Sequence, residues 1–501
     1  MSRDALGVAT HYRRYATGNA LTLLAGLVSF PLLTRLLDNT QYGMFGYYGA
    51  WILMAIAVGK FGAQHAILRF YPHDGGAREL RAFATNLFYV PLGLAFVVWA
   101  LVVAGMVLVD AISGERQGTM FWLVVAMAPM AVFSSLVDTV QKVTERSQLV
   151  MYLRISSRWV ELLLMLGAVL LVQASAVAAY SGKLATTLLF GVFYILWMRR
   201  HLNFSRADIN LSETRAALMF GMPMALSEII SVTLVSLDRW MLKDITGDFA
   251  LVGVYSIGSS LAMQVSLFMN ASVFEAFLPT ANRVYVTEGD TALRELKSRV
   301  LVPMTYGAAC VAVLLGLFGS DLILVASGVD KIASGPIFSL LAIVCVLQPV
   351  LLLAGYGLLL EKRSKTVLAL VFLSLLLNGV LNYLWIPAHG VMGAAWATVA
   401  SSSALGLAHC VVVKRSLLCL PDRRSILGAA VAVALVVLFE RWLDRQGMPA
   451  GWARLLLGGG SAGSLYLASV LVLDARAREL VRGVLRSARG RVISPRSGNT
   501  G

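Results

Sequence analysis

Arg154, Arg158 and Glu161 stand four and three residues apart in an otherwise apolar run. On a helix they share one face, where Glu161 can pair with Arg158. A charge at the centre of a membrane helix costs about 2.5 to 3.5 kcal/mol to insert, so each such residue asks for a function. We read this face as lining a polar cavity; the competing reading lets Arg154 and Arg158 reach the aqueous interface through their long stems. Arg35 and Arg239 offer guanidinium forks suited to bidentate contact with a diphosphate, and Asp238 beside Arg239 offers a rival structural pair. Lys183, two turns into its run, joins the substrate-binding set, whereas Lys60, near the end of its run, is expected to reach the interface. Glu228, mid-run after Gly221 and Pro223, is a candidate proton-coupling carboxylate or a partner for an arginine. Asp238, Asn378, Asn382 and Thr398 form a possible cation site. The two asparagines are four apart, share a face and offer amide oxygens to a hard cation, or else they hydrogen-bond between helices.

The elements that must hold these residues are membrane helices. Of 501 residues, 58% are hydrophobic and only 14% charged, which is more apolar surface than a water-soluble fold buries. Windows of roughly 20 apolar residues place about fourteen helices, near 17–37, 43–63, 84–109, 119–140, 152–173, 177–198 and 217–242, then 250–273, 300–319, 336–359, 366–386, 391–413, 426–443 and 453–473. The first run is longer than a signal-peptide core and lacks a cleavage pattern, so it is expected to stay as a helix.

The net charge of +15 is distributed as topology, not as a nucleic-acid face. Assigning basic residues to alternate sides puts 32 of the 42 on one side. They include Arg3, Arg13 and Arg14, the even-numbered loops, and seven arginines of the tail after Asp474. That side is the cytoplasmic one, and both termini lie there. The tail is expected to rest on anionic lipid. Cys310, Cys345, Cys410 and Cys419 show no paired spacing and read as packing residues. Six scattered histidines suggest no metal site, and no cofactor is expected beyond a coupling ion, H+ or Na+. Aromatics such as Tyr47, Tyr48, Trp51, Tyr255 and Trp396 either stack on sugars or, more simply, pack and line the interfaces.

An internal repeat divides the helices. Thr34-Arg35-Leu36-Leu37-Asp38 through Tyr42-Gly43-Met44-Phe45 corresponds to Leu237-Asp238-Arg239 through Val252-Gly253-Val254-Tyr255. The offset maps helices 1 and 2 onto 7 and 8, with the halves in parallel orientation. Such repeats place a substrate site between two rocking lobes. The expected organisation is an N-terminal lobe over 1–200, a C-terminal lobe over 201–415, two extra helices over 416–473 and a basic tail over 474–501.

These stretches, with Asn378-Gly379-Val380-Leu381-Asn382 leading through Ile386-Pro387 into Gly390-Val391-Met392-Gly393-Ala394-Ala395, resemble the polysaccharide transporter, or Wzx-type oligosaccharide flippase, family. Its superfamily also holds the MATE drug exporters and the lipid II flippase. The resemblance implies an all-α, MATE-like polytopic fold with two six-helix lobes around a central cavity and two added C-terminal helices. It implies transport of an undecaprenyl-diphosphate-linked oligosaccharide from the cytoplasmic to the periplasmic leaflet of a bacterial inner membrane, for O-antigen, exopolysaccharide or capsule. A polysaccharide polymerase and export machinery would be the partners besides membrane lipids. The constellation around Asp238 is similar to a sodium site of the lipid II flippase, with Asn382 where an aspartate would add charge.

Two other functions compete. A MATE-like drug or metabolite exporter should favour carboxylates in its cavity, whereas intramembrane cations predominate here. A membrane glycosyltransferase or polymerase needs acids on an outer loop. Asp110, Glu115, Asp321 and Asp330 are the outer-loop acids in the middle of the chain, those loops are short, and no P-loop, HExxH or GxSxG motif occurs.

Overall fold

The computed structural model describes residues 21–113, 117–144, 147–479 and 482, with 147–148 and 271–276 described in their backbone alone. Arg3, Arg13, Arg14, Glu115 and most of the basic tail lie outside the described residues. Those described are all-helical, and eleven helices are long and apolar enough to cross a membrane. The difference from about fourteen has three sources. The helix α1 (Leu21–Leu36) is described for only part of its apolar run. The helix α7 (Ser147–Leu171) carries three charges, Arg154, Arg158 and Glu161, within its apolar run. The helix α12 (Ser364–Val412) merges two expected spans across Gly390, whose φ of 54° marks the break. The chain is a polytopic membrane protein.

Between these run α2 (Asn39–Gly59), α3 (Ala63–Phe70), α4 (Ala77–Phe83), α5 (Val90–Ser113) and α6 (Thr119–Val143). After α7 come α8 (Ala176–His201), α9 (Leu211–Thr246), α10 (Phe249–Ser327) and α11 (Gly335–Ala354). The chain closes with α13 (Arg423–Arg445) and α14 (Gly459–Leu473). Local sequence explains several ends. Asp38 caps α2 by accepting from the Gln41 amide at 2.7 Å, and Asn210 caps α9 through Ser212 and Glu213, satisfying amides that have no partner within the helix.

Two compact units emerge, one of residues 1–257 and 379–394 and one of residues 258–378 and 395–501. In the first, α2 and the start of α10 meet backbone to backbone. A Cβ added to Gly43 would stand 1.9 Å from the Phe249 carbonyl oxygen, and one on Gly253 would stand 1.8 Å from that of Asn39. The repeat glycines are therefore where the two helices touch.

The connection between α8 and α9 is fastened within the same unit. One π-helical turn, Ala84–Tyr89, joins α4 to α5. Its fully buried Asn86 donates to the Asp208 carbonyl at 3.0 Å and accepts from the Asn210 amide at 2.8 Å, while Thr214 donates to the Asn86 carbonyl at 3.0 Å. The widened turn presents both backbone and side chain of Asn86 to the connection. Arg81 adds an ion pair to Asp208 at 2.6 Å, which holds that carboxyl below the usual aspartate range, chiefly through the hydrogen bond.

In the second unit, α13 and α14 pack on the latter part of α10 through Tyr306, Val313, Phe318, Ala432, Val436 and Tyr466. Polar contacts fasten both ends of this hairpin. Arg454 pairs with Asp444 at 2.5 Å, with Asp321 at 3.5 Å and with Glu440, while Tyr306 donates to Asp474 at 2.8 Å. Elsewhere Lys297, fully buried, donates to the carbonyls of Ala354 at 2.8 Å, Tyr356 at 2.9 Å and Leu417 at 2.5 Å. Ala354 ends α11, where exposed carbonyls carry partial negative charge and favour a cation.

Candidate substrate site

The first unit holds three polar clusters among apolar helices. In the first cluster, Arg158 reaches Glu161 at 3.2 Å, the i,i+3 pair expected from spacing, and Lys183 of α8 approaches the same carboxylate at 3.5 Å. Lys183 also stands 5.1 Å from the ring centroid of Phe45 and 5.3 Å from that of Tyr180, within range of cation–π attraction. Tyr180 is fully buried and donates to the Phe45 carbonyl at 3.0 Å, which fixes the aromatic wall. Gly46 and Gly49 let neighbouring side chains pack directly on α2, and a Cβ on Gly46 would stand 2.4 Å from Ser256 Oγ. A Cβ on Gly46 would lie 3.8 Å from Arg239 Cδ, and one on Gly49 would lie 3.2 Å from the Tyr180 hydroxyl. Lys183 thus lies against the aromatic pair of α2 and α8, with Glu161 and through it Arg158 beside it, and Arg239 approaches Gly46 of α2. The cations can hold an anionic group, and Phe45, which unlike Tyr180 is only partly buried, can meet a sugar ring beside it.

The second cluster corrects the reading of Lys60. This residue does not reach for the interface. It is 5% exposed and pairs with Glu228 of α9 at 2.6 Å. Gln64 donates to the other Glu228 oxygen. The cause is a break in the helix after Gly59. Phe61 and Gly62 take φ of 48° and 76°, and Gly62 lies against the backbone of Gly221, each leaving no room for a Cβ on the other. The sequence carries no proline at this point, and Gly62 is the one local signal that could have revealed the turn.

The third cluster surrounds Asp238, which is 3% exposed. One carboxylate oxygen accepts from Asn382 Nδ2 at 2.7 Å and the other from the Tyr255 hydroxyl. Asn382 therefore turns its N–H, not its carbonyl, toward the carboxylate. Asn378 and Thr398 fall in the second unit. There Asn378 donates to the Ser401 hydroxyl at 3.4 Å, and Ser401 donates to the Thr398 carbonyl at 3.2 Å. Arg35 is an exposed residue of α1 and Arg154 is half-buried on α7. Among the described residues no group of three or more His, Cys, Asp or Glu is placed to hold a metal ion.

Cations paired with carboxylates among apolar helices define a polytopic membrane protein, and known structures share its fold. The lipid II flippase MurJ in its inward closed conformation superposes with a TM-score of 0.71 at 11% identity, covering 93% of this chain and 99% of that one. An inward-facing multidrug resistance MATE transporter of the MOP superfamily gives 0.56 at 15% identity, over 77% of this chain and 92% of that one. A MATE structure in complex with MaD3S gives 0.51 at 14%, over 85% and 96%. These likenesses carry the fold. Residues 14–284, more than half of the chain, match the family described as "Polysaccharide biosynthesis protein", and the chain belongs to that family. No curated protein matches it by sequence.

Proposed function

We propose that this transporter moves an oligosaccharide, linked through diphosphate to undecaprenol, from the cytoplasmic to the periplasmic leaflet of a bacterial inner membrane by alternating access. The observation that carries the reading is Lys183 against Phe45 and Tyr180, with Glu161 and Arg158 beside it and Arg239 near Gly46. A head group of sugar and diphosphate cannot cross hydrocarbon unaided, and intramembrane cations supply the compensation it needs. Membership in a polysaccharide family and a fold shared with a lipid II flippase support the same substrate class. We favour H+ as the coupling ion, at Glu228, a carboxylate within the apolar run of α9 that is paired with Lys60.

Deletion of the gene, followed by leaflet-resolved analysis of lipid-linked sugars, tests this. Accumulation of a completed repeat unit on the cytoplasmic side, reversed by the intact chain, is the expected outcome. Unchanged lipid-linked intermediates, with binding of organic cations by the purified protein, would replace the reading by that of a MATE-like exporter.

A further inference from the structure

We propose that Lys60 and Gln64 form an anion site whose resting occupant is the protein's own Glu228 carboxylate, and that the diphosphate of the lipid-linked substrate displaces it. This rests on the function proposed above and adds a binding step to it.

Each Glu228 oxygen is taken by a different nitrogen donor. Lys60 Nζ lies 2.6 Å from Oε1, and Gln64 Nε2 donates to Oε2. The second hydrogen of the Gln64 amide points to His65 Nε2 at 3.1 Å, so the imidazole accepts there and fixes the amide's direction. The two donors flank the break between α2 and α3. The backbone contact of Gly62 with Gly221 holds this break against α9, and Glu228 stands seven residues, two helical turns, beyond Gly221 on the same side of α9. The backbone segments that carry the donors and the carboxylate are thus held together, and of the side chains Glu228 is the more exposed and the one with room to turn away.

Burial is unequal. The Lys60 side chain is 6% exposed and that of Glu228 is 28% exposed, so the carboxylate is the partner that an incoming group can reach. A buried ammonium inside a membrane must keep an anion beside it. A diphosphate offers more negative charge and more acceptor oxygens than a carboxylate, and it meets the same two donors. Exchange of one anion for the other leaves Lys60 neutralised throughout and frees Glu228 only when substrate is present.

The test is binding of farnesyl diphosphate to the purified full chain in nanodiscs, with inorganic pyrophosphate and phosphatidylglycerol as separate arms. Glu228→Gln removes the competing charge and is expected to bind farnesyl diphosphate at least about tenfold tighter, or roughly 1.4 kcal/mol. Lys60→Met is expected to lose about as much. The double variant Lys60→Met/Glu228→Gln buries no unpaired charge, so it remains informative if Lys60→Met fails to fold, and it should bind no tighter than the parent. Unchanged or weaker binding by Glu228→Gln overturns the proposal. So does suppression of its gain by phosphatidylglycerol, which would assign the site to bulk lipid, or an equal gain for inorganic pyrophosphate, which would assign it to a soluble ligand. Flipping is not needed for this readout, so failure in the leaflet experiment and failure here are separate results.

Discussion

Gly43 and Gly253, the corresponding glycines of the internal repeat, lie on helices that touch through main chain, with carbonyl oxygens of Phe249 and Asn39 less than 2 Å from where a Cβ would be. Substitution at either must force the helices apart. We predict that Gly43→Ala costs about 1 to 3 kcal/mol, as overpacking does, and that Gly43→Val abolishes complementation of a deletion strain. Thermal unfolding in detergent checks the first and surface polysaccharide the second.

Lys183→Ala and Arg239→Ala should lower export at least tenfold while membrane abundance stays normal. Arg158→Ala should lower it less, because its side chain is 42% exposed and Lys183 continues to neutralise Glu161 after its loss. Polysaccharide yield normalised to protein in the membrane fraction checks the order. Equal, normal export by all three variants would remove this cluster from the substrate path.

Asp238→Asn and Tyr255→Phe should destabilise the protein by about 1 to 3 kcal/mol each, since either change leaves a buried hydrogen-bonding group short of its partner. Transport by the unmodified chain should be the same in sodium and in potassium media, as measured by leaflet-resolved labelling of the lipid-linked sugar. A strict need for sodium would instead revive Asp238 as a cation ligand.

The docked connection between α8 and α9 should respond to acid. Asp208 has its folded pKa below the ordinary value near 4. The stabilisation from Arg81 is therefore fully present above that value and fades as the pH falls through the lower, folded one. Hydrogen exchange over residues 202–210 should stay slow at pH 7 and quicken only in strong acid. Asn86→Ala should quicken it at pH 7, because the side chain makes three hydrogen bonds, to the Asp208 carbonyl, the Glu213 carboxylate and the Asn210 amide, each worth about 1 kcal/mol.

Arg454→Ala should loosen α13 and α14 from α10. It leaves Glu440 and Asp321 buried without their cation, at a cost of about 3 kcal/mol. A lowered midpoint of thermal unfolding in detergent is the expected readout, and an unchanged midpoint would show that apolar packing alone holds the hairpin.

How legible was this in the sequence? Membrane class and most spans were, because apolar length and loop charge are local properties. The Arg158 to Glu161 contact was legible too, since helical spacing alone brings i and i+3 together. Lys183 joins them from the next helix, and no local rule states which rotation of α8 faces α7. The depth of Lys60 is not a local property, because it follows from a turn at Phe61 and Gly62 that packs against Gly221, some 160 residues away. Asn378 and Asn382 share a helix face as expected, yet they serve different partners, Ser401 and Asp238. Periodicity gives the face, and only tertiary packing gives the partner.

Lys297 has a consequence for how the second unit responds to its medium. Surface pairs such as Arg299 with Glu295 and Lys414 with Asp290 lose their attraction as ionic strength rises, since mobile ions screen charges over about 8 Å in physiological salt. The Lys297 ammonium is enclosed by three carbonyl oxygens where no mobile ion enters. It acts as a tethered cation, and the junction of α10, α11 and the chain after α12 should hold equally well in dilute buffer and in brine.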